Sequence, residues 1–117
     1  MSMTRLALIQ MRCDRDPAEN LRVALEHVGT AARAGAHLVI LPELFLGPYF
    51  CQSMADHAAF GRAEPVPGPT TQTLAETAAR NRVTLVGGSI FEKAADGKFY
   101  NTASVFLPDG SVAGHYR

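Results

Sequence analysis

No stretch of this chain is long and apolar enough to cross a bilayer, and Met1–Arg5 lacks the apolar core of an export signal. Charge of one sign is missing too: 11 basic and 11 acidic side chains leave a formal net charge of zero. With no basic stripe, nucleic acid and anionic membranes are not expected partners. Cysteine is scarce. Cys13 and Cys51 stand at no metal-ligand spacing, and in a chain read as cytoplasmic they are expected to be reduced thiols. His27, His37, His57 and His115 are scattered, with no pair at helical ligand spacing, so no metal site is expected. His57 beside Asp56 reads as surface rather than as part of a triad. There is no internal repeat and no low-complexity segment.

What is present is a globular balance, 47% hydrophobic and 19% charged over 117 residues, enough for one domain or part of one. Leu6–Met11 is apolar at nearly every position and is predicted as a strand covered on both faces. Asp16-Pro17-Ala18-Glu19 then carries three helix-start signals: a capping acid, a proline for the first helical position, and an acid placed for a capping box. Leu21, Ala24, Leu25, Val28, Ala31 and Ala32 follow at helical spacing, and Gly35 supplies a left-handed cap. The segment from His37 to Leu41 is a second strand, so the chain opens as a parallel strand–helix–strand unit.

Residues 44–69 read as irregular, punctuated by Gly47-Pro48 and Pro65, Pro67, Gly68 and Pro69, with a short helix around Met54–Phe60. A second helix is predicted from Thr70 to about Asn81, burying Leu74 and Ala78. Val83–Val86 is a strand ending at Gly87-Gly88. Three extended segments follow, Ile90–Glu92, Phe99–Leu107 and Ser111–Tyr116, with Ala95-Asp96-Gly97 and Pro108-Asp109-Gly110 as hairpin turns.

The chemistry concentrates after the second strand. Pro42 ends it, and Glu43 comes next, at the carboxyl end of a parallel strand where clefts form. Desolvation there raises a carboxyl toward the range of a general base. A helix cap or an ion pair is the structural alternative for Glu43. Cys51 has the chemistry of a nucleophile, but its apolar setting, Tyr49-Phe50-Cys51, favours a buried structural thiol; Cys13 is a weaker candidate still. Gly87-Gly88-Ser89 follows a strand, yet no helix pattern succeeds it, which rules out a phosphate loop.

Taken in order, these segments resemble the nitrilase-like carbon–nitrogen hydrolases. The resemblance rests on Ala7-Leu8-Ile9-Gln10, Asn20, Gly35–Leu44, Pro67-Gly68-Pro69, Gly87-Gly88-Ser89, Tyr100-Asn101-Thr102-Ala103 and Gly114-His115-Tyr116-Arg117. Within the family, Glu43-Leu44-Phe45 with Tyr49-Phe50-Cys51-Gln52 looks most like the N-carbamoylputrescine amidase branch. The resemblance implies an α/β fold, a four-layer α-β-β-α sandwich, of which residues 1–117 supply the N-terminal part of a single domain. It further implies a homo-oligomer, a small-molecule substrate, no metal and no organic cofactor. Its catalytic set is a glutamate, a lysine and a cysteine, working through a covalent acyl-enzyme. Glu43 matches the glutamate, as base toward the thiol and then as acid toward the leaving amine. Tyr49 is a candidate for the substrate pocket and Asn101 for orienting Glu43; packing and turn bonding are their alternatives.

The family's lysine directly follows the Tyr-Arg pair, and its cysteine lies further on. This sequence ends at Arg117, inside what reads as a strand, and neither Cys13 nor Cys51 sits in the nucleophile motif. It is therefore expected to be inactive alone, either as one piece of a longer amidase or as a non-catalytic interaction module. Other family branches, acting on ω-amides, nitriles or N-carbamoyl amino acids, stand as alternatives for the parent enzyme.

Overall fold

The computed structural model describes residues 2–52 and 57–117. The elements are β1 (Leu6–Leu8), α1 (Pro17–Arg33), β2 (Leu38–Ile40), α2 (Pro69–Asn81), β3 (Thr84–Lys93), β4 (Phe99–Phe106) and β5 (Val112–Tyr116). They build one five-stranded sheet in sequence order, with β1, β2 and β3 parallel and β3, β4 and β5 antiparallel.

Local chemistry sets the helix ends. Asp16 caps α1, its carboxylate accepting from Ala18 N at 3.0 Å and Glu19 N at 3.4 Å. Glu19 does not reach back to complete a capping box; it turns forward to the Arg22 guanidinium at 2.8 Å, the stronger charge-assisted partner. At the other end Gly35 adopts φ +86°. That lets Gly35 N reach Ala32 O at 2.9 Å and Ala36 N reach Ala31 O at 3.0 Å, the two bonds of a Schellman closure. Asn20, only 2% exposed, ties α1 to the loop after β1 by accepting from Asp14 N and donating to Asp14 O. The α2 N-terminus takes its acid from a distance, Glu64 accepting from Thr70 N and Thr70 Oγ1 at 3.0 Å each.

Both helices pack on one face of the sheet. Ala24 and Val28 of α1, Leu74 and Ala78 of α2, and Val39, Leu85, Ile90 and Phe106 of the sheet form a core at 1% exposure or less. These described layers, one helical and one sheet, are half of the four layers implied by the resemblance.

Two expectations are corrected. Among the described residues β1 is covered on one face only and lies at the edge of the sheet; Leu6 and Leu8 are exposed because the helices lie on the opposite side. The third strand does not stop at Gly87-Gly88. It runs to Lys93 through a bulge, where the β4 register shifts between Gly87 and Ile90 and Gly88 sits at φ +125°. Glycine tolerates that conformation and lets a strand absorb an extra residue without ending. Of the helix expected around Met54–Phe60, residues 54–56 lie outside the described residues; the flanks form 3-10 turns at Phe50–Gln52 and His57–Arg62. Asp56, the neighbour considered for His57, is also outside them.

Candidate active site

β2 ends at Ile40, Leu41 N still pairs with Val86 O at 3.0 Å, and Pro42 then closes the ladder. The chain turns at once. Leu44 takes φ +50°, a left-handed conformation that L-residues adopt at a cost. Its N–H donates to Ser89 Oγ at 3.1 Å, and its side chain and that of Phe45 are buried in the protein interior. Between a proline and two buried anchors, Glu43 projects from a fixed turn.

Its partner comes from β4, 58 residues away: Asn101 Nδ2 donates to Glu43 Oε1 at 2.8 Å. Asn101 shares the sheet face opposite the helices with Ala103, whose cross-strand partner is Tyr116. Glu43, Gly88, Ser89, Asn101 and Tyr116 line an open concavity of about 340 Å³. The sheltered environment expected for Glu43 is absent among the described residues. Its side chain is exposed, because it faces the open side of the sheet.

Tyr49 lies on the loop beyond the turn and is exposed. The negative charge of Glu43 is the main reason its phenol is held above the usual range, with Cys51 next, so Tyr49 stays a protonated donor in Glu43's neighbourhood. Cys51 is exposed, against the expectation of a buried thiol, because it lies on a surface 3-10 turn. Cys13 is partly buried, and that burial pushes its thiol up, away from the reactive thiolate. Among the described residues no group of three His, Cys, Asp or Glu side chains is placed to hold a metal ion. No helix of the described residues is long and apolar enough to cross a membrane.

Two features escaped sequence reasoning. Glu92 is 2% exposed and accepts from Arg117 Nε at 3.0 Å and Arg117 Nη2 at 2.7 Å, with Thr102 Oγ1 as a further donor. Arg117 also stacks over Tyr100, its guanidinium carbon 4.1 Å from the ring centroid. This clamp fixes the end of β5 beside the Glu43 concavity. The second is the bond from Leu44 N–H to Ser89, a residue noted in the sequence only as part of Gly87-Gly88-Ser89. The glycine pair inside a strand was the available signal, since glycines there mark bulges. A separate apolar cavity of about 230 Å³ lies behind the turn, lined by Leu21, Leu44, Leu46, Phe50 and Phe91. The acid on its wall, Glu64, is engaged with the α2 N-terminus, so it is not a second reactive carboxylate.

The sequence model of a family described as Carbon-nitrogen hydrolase matches residues 5–117. The chain belongs to the carbon-nitrogen hydrolase family. It is 45% identical over 117 residues to the Omega-amidase NIT2 of Mus musculus, and spans 40% of that relative's length. The crystal structure of a carbon-nitrogen hydrolase from Helicobacter pylori matches with TM-score 0.82 and 30% identity, over 95% of this chain and 38% of that one. Saccharomyces cerevisiae Nit3, a member of branch 10 of the nitrilase superfamily, matches with TM-score 0.82 and 28% identity, over 97% of this chain and 43% of that one. The described elements are thus the N-terminal portion of the α/β nitrilase-type fold.

Proposed function

We propose that the full-length protein hydrolyses the terminal amide of a small linear substrate through a cysteine acyl-enzyme, with Glu43 as the base. The observation that carries this is the Asn101 bond to Glu43 Oε1 at the rim of the sheet. It fixes the carboxylate and leaves Oε2 to accept a proton. In the proposed sequence Glu43 takes the thiol proton and the thiolate attacks the carbonyl carbon. The C–N bond then breaks as Glu43 returns the proton to the leaving ammonia. Water, deprotonated by Glu43, finally hydrolyses the thioester and frees the acid and the thiol. Tyr49 lines the substrate's approach as a hydroxyl donor.

The strand register supports placing the remaining machinery here. Ala103 pairs with Tyr116. In a longer chain that continued this ladder, the residue following Arg117 would stand opposite Asn101, on the face of Glu43. The family resemblance expects its lysine at that position, where an ammonium stabilises the oxyanion. Residues 1–117 are, on this reading, the N-terminal part of one hydrolase domain.

The similarity to an omega-amidase favours an ω-amide as substrate. An N-carbamoyl amine such as N-carbamoylputrescine is the second reading, carried by Glu43-Leu44-Phe45 and Tyr49-Phe50-Cys51-Gln52 alone. Ammonia release by the full-length protein from a panel of both classes separates them. Turnover of the ω-amide well above that of the ureido compound is expected. The reverse order would establish the second reading, and no release from either class would refute the amidase proposal.

A further inference from the structure

We propose that Ser89 is a positioning residue for Glu43, acting through the backbone of Leu44; this rests on the reading of Glu43 as the base. Leu44 has φ +50°, a conformation that persists in an L-residue only where its surroundings hold it. One hold is packing, since the Leu44 side chain is 5% exposed. The other is directional: Leu44 N–H donates to Ser89 Oγ at 3.1 Å, across 45 residues of chain. Were that bond lost, packing alone would hold Leu44 at positive φ, and any relaxation toward negative φ would rotate the peptide joining it to Glu43. The carboxylate would swing away from Asn101.

Ser89 reaches Leu44 because of the bulge. Gly88 at φ +125° shifts the β3 ladder between Gly87 and Ile90 and sets the Ser89 hydroxyl under the turn. A Cβ at position 88 would also stand 3.1 Å from Ile90 N, so the bulge needs a glycine. Gly88, Ser89 and Asn101 line the Glu43 concavity together. The carboxylate is therefore held twice, by Asn101 on its oxygen and by Ser89 on the next amide in the chain. Holding matters because a displacement of about 1 Å costs on the order of a hundredfold in rate.

The test uses Ser89→Ala and Ser89→Thr in the full-length enzyme. Ser89→Ala is expected to lower kcat about ten- to a hundredfold while KM moves less than about threefold. Ser89→Thr keeps the acceptor oxygen and is expected to recover most of kcat. Amide exchange of Leu44 should quicken in Ser89→Ala while that of Val39 and Leu85 stays protected. In a Glu43→Gln background Ser89→Ala should cost nothing further, because the group it positions is gone. Wild-type kcat in Ser89→Ala, failure of threonine to rescue, or a further loss in the Glu43→Gln background would each overturn the proposal. Should the alanine variant fail to fold, Ser89→Cys, a far weaker acceptor of similar size, carries the same expectations. Full turnover by Glu43→Gln alone would instead bring down the reading of Glu43, and this inference with it.

Discussion

Replacing Arg117 by methionine keeps much of its packing volume but removes both hydrogen bonds to Glu92. The carboxylate left behind is 2% exposed, with Thr102 as its remaining donor. Breaking a buried ion pair from one side costs about 3–5 kcal/mol, because the surviving charge is stranded in a poor solvent. Arg117 itself is half exposed, with 49% of its side-chain surface open, so water can enter the gap and screen the charge. The expected loss is therefore lower, about 2 kcal/mol in unfolding free energy near neutral pH. Its pH dependence identifies the cause. The Arg117 hydrogen bonds, and then Thr102, hold the Glu92 carboxyl below its ordinary value. A group depressed on folding stabilises the protein above its unfolded pKa, and that contribution disappears as pH falls through its folded value. The difference between wild type and Arg117→Met should accordingly be largest near neutral pH and shrink as the solution is made more acid, first because the stranded carboxyl of the variant takes up a proton and then because wild-type Glu92 does. Urea unfolding of both proteins across that range, with unchanged m-value, measures it. A difference below about 0.5 kcal/mol at neutral pH, or one of equal size in acid, would refute the reasoning.

Other perturbations follow from the same geometry. Leu74→Ala empties a fully buried position between α2 and the sheet and should cost about 2–5 kcal/mol by denaturant midpoint, with activity per folded molecule retained. Asp16→Ala removes the acceptor for two amide donors at the α1 N-terminus and should cost about 1 kcal/mol, Asp16→Ser much less. Asn101→Ala frees Glu43 Oε1 and should lower kcat about ten- to a hundredfold in steady-state ammonia release, with far less effect on thermal stability.

Much of the architecture is legible in the sequence because it is locally encoded. Asp16-Pro17 and Gly35 frame α1, Leu74 and Ala78 mark the buried stripe of α2, and the two glycine turns frame β4. What the sequence misleads on depends on partners distant along the chain. An apolar run such as Leu6–Leu8 records that a strand meets apolar surroundings, not which elements of these residues provide them. Gly87-Gly88 reads as a stop because glycine weakens strands, and whether the strand continues is decided by β4 across the ladder. The same division holds at the concavity. Glu43 stands out by its place after β2, and Asn101 through the family resemblance. The bonds Ser89 makes to Leu44 and Glu92 makes to Arg117 do not, since these partners lie 45 and 25 residues away.

The most direct measurement is the first-turnover release of ammonia by the full-length protein carrying Glu43→Gln. The amide is nearly isosteric and can still bond Asn101, but it cannot take a proton from a thiol. Acylation slowed at least about a hundredfold, with the fold intact, is the expected result. Release at the wild-type rate would contradict the assignment of Glu43 as the base.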